Sequence, residues 1–343
     1  MDDNGKKLYG EINKKRYLVI VGTIIALFVM IVVDISVGSS SLTLMDCVKL
    51  LLEGPNGEST QTLIVWDVRL PMTITCIGVG GCLALSGLQV QTITNNTLAS
   101  PYTLGISAGA SFGAAIAISL GFTIFGYQWI GTASLALLLA IGVTCAIFFL
   151  GRLKGMGAHT LILVGIIMNF FFSALQQFLQ YRASAEIAQI ISNWSFGNLS
   201  RASWTSAVVG LVILVIGIVI FIRLSWQLTA FTAGEERARS LGIQVDRLKM
   251  IVFVVSALLI AGGVSFIGTV GFVGLVAPHC ARMLVGEDQR FLMPVSTLLG
   301  SLIMLTASSV SKLMSTGSML PVGIVTSIVG VPFLFILLMR EIQ

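Results

Sequence analysis

The sequence predicts an all-α, polytopic membrane protein with about ten transmembrane helices, and two observations lead to that fold class. Residues 70–151 contain no Asp, Glu, Lys or Arg. Over the whole chain, 56% of residues are hydrophobic and 10% are charged, whereas a soluble domain carries about 25% charged residues. A charge-free run of that length must form several helices of about 20 residues laid across a bilayer. The composition therefore excludes a soluble protein.

The apolar runs divide at glycine, proline and polar breaks into pieces that each approximate one bilayer crossing. The first run follows the basic residues Lys14, Lys15 and Arg16, but no cleavage pattern of small residues comes after it, so we expect a retained span. In chain order, the predicted spans are residues 17–37, 70–90, 102–120, 129–150, 160–181, 205–224, 248–267, 271–284, 293–312 and 321–340.

Two of the apolar regions are interrupted, at residues 94–101 and at residues 268–278. Non-helical backbone at membrane depth is tolerated only where it is buried in protein or lines a cavity. Similar breaks in two halves of opposite orientation hint at an inverted repeat, which is a common plan for transporters.

The distribution of basic residues predicts the orientation. An even number of spans places both termini on one side, and that side then holds fifteen of the twenty Lys and Arg residues. By the positive-inside rule, both termini are cytoplasmic. We expect a cytoplasmic tail at residues 1–16, one permease domain at 17–340 and a cytoplasmic C-terminus at 341–343. The net charge of +5 thus reflects membrane orientation and not nucleic-acid binding.

Several kinds of chemistry are missing from the sequence. The five cysteines form no C-x-x-C pair, and His159 and His279 are too far apart to suggest a metal site. No phosphate-binding G-x-x-x-x-G-K-[ST] loop is present. No span is expected to carry a buried Asp, Glu or Lys at mid-depth, as a proton or sodium relay would. We therefore expect no enzymatic activity, no bound cofactor or metal, and an energy source on another protein.

The fifth predicted span carries four polar residues on one helical face: Asn169, Ser173, Gln176 and Gln180. Amides facing lipid would be costly, so this face meets other helices or water. Two interpretations remain open, namely hydrogen bonding between helices and the polar wall of a translocation cavity lined also by aromatics such as Phe170 and Phe178.

A stretch of small residues follows the first break. Gly105, Gly109 and Gly113 form a double G-x-x-x-G, which is typical of close helix packing. The same letters spell G-x-S-x-G around Ser107, the pattern of a hydrolase nucleophile. Because transmembrane helix flanks the pattern and no carboxylate lies nearby in the sequence, coincidence is the favoured explanation.

One compact charged segment, residues 234–249, separates the sixth and seventh spans. It is either an ordinary solvated loop or a short helix on which a soluble motor could pull. The residues that would form this coupling site are Gly234, Glu235, Glu236, Arg237, Arg239 and Gly242.

Several blocks, in order from about residue 67 to residue 338, resemble the FecCD family, the permeases of ABC importers for iron-siderophores, haem and cobalamin. The blocks are Arg-Leu-Pro at 69–71, Gly-Gly-Cys-Leu-Ala-Leu-Ser-Gly at 80–87, Leu-Gly-Ile-Ser-Ala-Gly-Ala at 104–110, Gly-Glu-Glu-Arg-Ala-Arg-Ser-Leu-Gly at 234–242, Gly-Phe-Val-Gly-Leu-Val-Ala-Pro-His at 271–279 and Leu-Pro-Val-Gly-Ile-Val-Thr at 320–326.

The resemblance implies a type II importer permease with ten helices per subunit and two subunits around one pathway. Two cytoplasmic ATPase subunits would hold ATP and Mg²⁺, and an extracytoplasmic binding protein would deliver the cargo. By position, residues 234–242 would dock on the ATPases and the Asn169–Gln180 face would line the pathway. Asn96, Leu98, Ala158 and His159 would lie near the cytoplasmic gate, and Arg69 and Lys312 would meet the binding protein.

Four positions depart from the family pattern. Met72 replaces an arginine, Thr97 a proline and Ser308 an aspartate, and Lys312 stands where arginine is usual. Lysine cannot make the two-pronged contact of arginine, which weakens the docking assignment. A second, different permease could supply the missing charge, so both a homodimer and a heterodimer remain open.

The sequence thus predicts the membrane subunit of a cell-membrane ABC importer for an iron chelate, either a siderophore or haem. Cobalamin is the main rival cargo. An ion-gradient-driven secondary transporter and an intramembrane hydrolase using Ser107 are alternatives from other classes.

Overall fold

The structure, a computed structural model, describes residues 3–38, 42–55, 57, 59–100, 102–153, 157–315 and 319–341. Helices dominate this part of the chain, and no strand occurs within it. In chain order the helices are α1 (Asp3–Ser36), α2 (Leu44–Glu53), α3 (Thr60–Leu63), α4 (Leu70–Thr94), α5 (Ile106–Ser119), α6 (Gln128–Leu153), α7 (Ala158–Arg182), α8 (Ala185–Ser195), α9 (Trp204–Phe231), α10 (Glu235–Ser240), α11 (Val245–Ile267), α12 (Val273–Val285), α13 (Gln289–Leu313) and α14 (Val322–Glu341).

Seven of the predicted spans correspond to helices that are long and apolar enough to cross a membrane: α1, α4, α6, α7, α9, α11 and α13. A π-helical stretch, Ile64–Arg69, joins α3 to α4 without a break. The third, eighth and tenth predicted spans correspond to shorter apolar helices. At 1.5 Å per residue, α5 and α12 are about 20 Å long, less than the roughly 30 Å of a hydrocarbon core. The count of ten crossings therefore stays a prediction.

The two predicted breaks explain why α5 and α12 are short. Asn95 ends α4 in the left-handed conformation at φ 46°, and Gly105 precedes α5 at φ 75°. At the second break, Gly268 ends α11 at φ 86° and Phe272 precedes α12 at φ 66°. Phe272 is the less expected of these residues, because a bulky side chain rarely adopts a positive φ. Non-helical backbone thus occurs at both predicted breaks, but residues 273–278 of the second break are helical and form the first turns of α12.

Helix α4 is the most enclosed long helix of the described bundle, and glycines bring its neighbours close. A Cβ on Gly78 would lie 3.0 Å from the carbonyl carbon of Gly210 in α9. A Cβ on Gly80 would collide with the carbonyl oxygen of Gly300 in α13, and one on Gly87 with that of Gly274 in α12. Small residues at such crossings allow backbones to touch, which is the main attraction between helices in lipid.

The double G-x-x-x-G of α5 also packs closely against neighbouring helices. A Cβ on Gly105 would lie 2.6 Å from the backbone nitrogen of Asn169 in α7. Gly109 and Gly113 face α6, where Cβ atoms would collide with Val143 and Leu135. The packing interpretation of this motif is confirmed.

A buried ion pair that was not predicted lies near the ends of α1 and α13, away from the mid-depth positions to which the expectation of no buried charge applied. Asp34 near the end of α1 is 0% exposed. Its Oδ2 lies 2.9 Å from Nζ of Lys312, whose side chain is 7% exposed. Thr73 donates to Asp34 Oδ2 at 2.6 Å, and Ser309 donates to Oδ1 at 3.1 Å. The sequence analysis missed this pair because its members lie in the first and ninth spans, close to the membrane ends and far apart in the chain.

Arg69 is a second cationic residue, besides Lys312, whose side chain contacts the last turn of α1. Arg69 is 4% exposed and donates to the carbonyl oxygens of Ile35 and Ser36 at 2.7 and 3.0 Å. Lys312 donates to the carbonyl oxygen of Asp34 at 2.8 Å. Terminal carbonyls lack helical partners and attract cations. Arg69 and Lys312 therefore cap α1, and a role in docking a binding protein, which stays a prediction, would require them to leave these contacts.

Replacing Gly87 by alanine should lower the free energy of unfolding by about 2 kcal/mol, because the new methyl group has no space beside Gly274. Gly142→Ala is the matched control: it also lies within a helix, and nothing lies within 4 Å of its added Cβ. Thermal unfolding of the purified protein in detergent measures both. Equal unfolding midpoints for the two variants would contradict the close α4–α12 contact.

Asp34→Asn should cost about 3 kcal/mol, because it leaves the buried ammonium of Lys312 without its counter-ion. Ser308 is buried one helical turn before Lys312, so Ser308→Asp in the Asp34→Asn background should restore part of the loss. The exposed Asp67 provides the control, since Asp67→Asn should leave the unfolding midpoint unchanged. No difference between Asp34→Asn and Asp67→Asn would show that the ion pair contributes nothing.

Candidate functional site

A polar cavity of about 660 Å³ lies between α5, α7, α8, α14 and the non-helical segment before α12. All four residues of the predicted stripe, Asn169, Ser173, Gln176 and Gln180, line it. Their spacing along α7 places them on one helical face. The structure thus brings the whole stripe to one cavity wall.

Hydrogen bonds within this wall fix the amide groups. Asn169 Nδ2 donates to the carbonyl oxygen of Tyr102 at 3.2 Å. Ser173 donates to Asn169 Oδ1 at 3.3 Å, and Gln176 Nε2 donates to Ser195 Oγ of α8 at 2.6 Å. These residues thus hydrogen-bond to neighbouring segments and also line a cavity, and transport of cargo through that cavity stays a prediction.

The remaining walls were not predicted from the sequence. Ser107 and Ser111 of α5, Thr269 after α11 and Ser327 of α14 add hydroxyl groups. Single hydroxyls in small-residue segments are common packing residues, so they gave no distinct signal. The structural reason is the close contact of Gly105 with α7. This contact brings Ser107, two residues further along, to the cavity.

The predicted aromatic residues do not line this cavity, and a place for them elsewhere in a pathway stays a prediction. Phe170 and Phe178 are exposed and do not line the cavity. Tyr102, Phe196 and Phe272 supply its aromatic surface instead. Phe170 and Phe178 follow the stripe in sequence but lie outside its helical face, and α7 presents them to the exterior.

The cavity walls contain neither a charged residue nor a histidine among the lining residues. Ser107 thus has no neighbouring base in the cavity wall, and the arrangement does not support the hydrolase alternative. Among the described residues, no cluster of three or more His, Cys, Asp and Glu could hold a metal ion. What the cavity offers is hydrogen bonding, by three kinds of neutral group: amide, hydroxyl and phenol.

The predicted gate residues lie at helix ends. Asn96 follows the last residues of α4 and accepts a hydrogen bond from the backbone nitrogen of Leu98 at 2.8 Å. Leu98 is exposed. Ala158 is the first residue of α7, and the following His159 is exposed. A gating role for these four residues stays a prediction.

The predicted coupling segment contains a short helix, α10, bounded by glycines. Gly234 precedes it at φ 110° and Gly242 follows it at φ 83°. Such values are accessible mainly to glycine. The exposed side chains of Glu236 and Arg237 point outward, whereas Ala238 is buried against the protein. The segment is therefore a defined element and not a flexible loop.

Glu235 has an internal role that the sequence did not reveal. Its Oε2 accepts a hydrogen bond at 2.7 Å from Nζ of Lys249, whose side chain is 1% exposed. Its Oε1 accepts one at 2.9 Å from Arg239, which also lies 3.3 Å from Asp246. Burial by itself would raise the pKa of Glu235, but the hydrogen bonds and charges of Lys249 and Arg239 outweigh it and lower the pKa. These bonds fasten α10 to α11.

Glu235→Gln should lower the free energy of unfolding by about 3 kcal/mol, because it removes the carboxylate that pairs with the buried ammonium of Lys249. Glu236→Gln, one residue further and exposed, should leave stability unchanged. Since the folded pKa of Glu235 is lowered, its contribution is complete above the ordinary value of 4.5 and is lost as the pH falls through the lower folded value. Thermal unfolding of both variants at neutral pH measures the difference, and equal midpoints would contradict the fastening role.

Comparison with known proteins agrees with this arrangement. The FecCD transport family matches residues 25–340. A protein of Methanocaldococcus jannaschii described as an ABC transporter permease is 36% identical over 97% of this chain and 96% of its own length. The iron-uptake system permease protein FeuC of Bacillus subtilis is 32% identical over 92% of this chain and 97% of its own.

A solved structure of a metal-chelate type ABC transporter in an inward-facing conformation has the same fold. It superposes with a TM-score of 0.82 at 30% identity, covering 94% of this chain and 99% of that one. The family match, the relatives and the shared fold extend over nearly the whole chain. The protein belongs to the FecCD transport family of ABC transporter permeases.

Proposed function

We propose that this chain is the membrane subunit of an ABC importer that carries an iron chelate, either a siderophore or haem, across the cell membrane. The observation that carries the proposal is the neutral polar cavity of about 660 Å³ along α7. A pathway must bind its cargo weakly enough to release it, and neutral hydrogen-bonding groups meet that need better than charged groups.

The size of the cavity favours a chelate. Sites of about 300–1,000 Å³ hold small organic molecules, and a bare oxyanion would occupy a small part of this volume. Relatives are named for different cargoes: iron uptake in Bacillus subtilis, cobalamin in Halobacterium salinarum and molybdate in Haemophilus influenzae. Cobalamin is also an organic chelate, although a larger one, and stays the rival cargo.

The energy source in this proposal is ATP hydrolysis on two separate cytoplasmic subunits. Helix α10 presents the outward-facing Glu236 and Arg237, while Glu235 connects α10 to the long helix α11. A pull on the outer side of α10 would therefore pass into α11 through an ion pair. An ion-driven transporter usually carries an acidic or basic side chain or a histidine in its pathway, and the lining residues include no Asp, Glu, Lys, Arg or His.

The proposal includes further partners. A second permease subunit, identical or different, would complete the pathway on the exposed sides of α7 and α14. An extracytoplasmic binding protein would deliver the cargo. Selectivity among chelates would reside mainly in that binding protein, because the cavity has no single charged recognition residue.

Arg237→Glu should reduce co-purification of the ATPase and ATP-dependent uptake by about tenfold or more, because it reverses an exposed charge on the coupling helix. The control is Lys49→Glu, which reverses an exposed charge on α2. Helix α2 follows the C-terminal end of α1 and is far from α10 in the chain. This control should leave co-purification of the ATPase unchanged. ATPase binding that survives Arg237→Glu unchanged would contradict the coupling role of α10.

Ser173→Trp should block uptake by filling the cavity, while leaving membrane insertion and ATPase binding intact. Phe149→Trp on α6 is the control, because Phe149 is exposed and does not line the cavity. Uptake assays with radiolabelled ferric siderophore and with haem measure the block and compare the cargoes. Normal uptake by Ser173→Trp would show that cargo does not pass this cavity.

A further inference from the structure

A network of neutral polar side chains is buried where the C-terminal ends of α4 and α9 meet the N-terminal end of α13. Gln289, the first residue of α13, is completely buried, and so is Gln89 of α4. Thr92, one turn further along α4, is also buried. None of these three residues is among those that line the polar cavity.

Gln289 connects three helices through its hydrogen bonds. Its side-chain Nε2 donates to Thr92 Oγ1 at 3.0 Å, and its Oε1 accepts from Gln89 Nε2 at 3.2 Å. Its backbone nitrogen donates to Thr229 Oγ1 at 3.3 Å. The first backbone N–H groups of a helix have no helical acceptor, so Thr229 caps α13 from the last turn of α9. One residue thus joins α9, α4 and α13.

The α9 side of this network continues into the coupling segment. Helix α9 ends at Phe231, and α10 begins at Glu235. Lys249, which pairs with Glu235 at 2.7 Å, also lies 5.9 Å from the ring centre of Phe231. A displacement of α10 therefore acts on the last turn of α9, where Thr229 binds Gln289.

The α4 side of the network leads to the polar cavity. Helix α4 ends at Thr94, and α5 begins at Ile106. Between the two helices, Tyr102 lines the cavity, and its carbonyl oxygen accepts a hydrogen bond from Asn169 at 3.2 Å. A shift of the last turns of α4 would therefore act on this part of the cavity wall.

We propose that Gln289 is a positioning residue that couples movement of α10 to the cavity wall between α4 and α5. The inference rests on the proposed function, in which separate ATPase subunits pull on α10. Buried amide and hydroxyl groups that lose their hydrogen-bond partners are costly in free energy. When the end of α9 moves, Gln289 and α4 follow it, because staying behind would leave these buried groups unpaired.

Chemical labelling at Leu98 tests the proposal in the purified complex of permease, ATPase and binding protein. Leu98 is exposed between α4 and α5, so Leu98→Cys reports movement there through its rate of reaction with a water-soluble maleimide. Cys145 and Cys280 are replaced by serine, whereas the other three native cysteines are buried and can stay. The rate is measured with and without a non-hydrolysable ATP analogue, and ATP hydrolysis and thermal unfolding are measured in parallel.

Two variants break the network, and a third is the matched control. Gln289→Leu removes both side-chain hydrogen bonds, and Thr92→Val removes one partner hydroxyl with little change of shape. The control, Ser301→Ala, also removes a buried hydrogen bond between α13 and α4, from Ser301 Oγ to the carbonyl oxygen of Ile77 at 2.9 Å. It lies about three helical turns further along α13.

The ATP analogue should change the labelling rate of the parent protein by about fivefold or more, as is usual for coupled sites. Gln289→Leu and Thr92→Val should lose most of this change while the complex still hydrolyses ATP, and Ser301→Ala should keep it. Should Gln289→Leu fail to fold, Thr92→Val alone decides. A purely structural network would lower the unfolding midpoint in these variants but leave the response to nucleotide intact.

Two results would overturn the proposal: an unchanged response in Thr92→Val, or an equal loss of response in Ser301→Ala. A labelling rate in the parent protein that nucleotide does not alter would also overturn it. The readout does not depend on the cargo. A complex that responds to nucleotide in this pattern but does not take up iron chelate would contradict the proposed cargo and support the role of Gln289.

Discussion

The close approach of α4 to its neighbours is the contact on which the rest of the structure depends. In a bilayer, lipid tails are as apolar as leucine, so helices associate through close packing and internal hydrogen bonds. Glycines at both sides of the α4–α13 and α4–α12 crossings, Gly80 with Gly300 and Gly87 with Gly274, allow that packing. The non-helical segments before α5 and α12 border the polar cavity through Tyr102 and Phe272.

Charged side chains form buried ion pairs at the ends of long helices, whereas none lines the polar cavity. At the C-terminal end of α1, Asp34 pairs with Lys312, and beside α10, Glu235 pairs with Lys249. A buried ion pair gains little stability over an apolar contact, but loss of one partner is costly. These pairs therefore make their helices move as units. The lining of the polar cavity, in contrast, includes no charged residue and combines neutral polar groups with apolar ones.

Much of this arrangement could be predicted from the sequence, because apolar length and helical spacing are local properties. The seven long helices, the two breaks, the packing of α5 and the α7 stripe all follow from residues close together in the chain. The two buried ion pairs, Asp34–Lys312 and Glu235–Lys249, could not be predicted in this way. Asp34 and Lys312 lie in the first and ninth predicted spans, and only the fold brings them together. For the same reason, the sequence predicted Arg69 and Lys312 to be surface residues, although both donate to carbonyl oxygens at the end of α1.

The cavity shows the same limit. One wall was visible as a periodic pattern along α7, but Ser107, Thr269 and Ser327 come from segments far apart in the chain and became neighbours only through folding. Glu235 was grouped with Glu236 because they are adjacent, yet their side chains differ in role: one binds Lys249 and the other faces outward. Adjacent residues on a helix point about 100° apart, and sequence alone does not say which direction is inward.

The central claim is that this permease has no energy source of its own and that nucleotide hydrolysis on separate subunits opens and closes its cavity. The most direct test is uptake of iron chelate into proteoliposomes against a concentration gradient, with the permease alone or together with its ATPase and binding protein. The account predicts accumulation only in the complete assembly with ATP, and none with the permease alone under an imposed proton or sodium gradient. Uphill accumulation by the permease alone would contradict it.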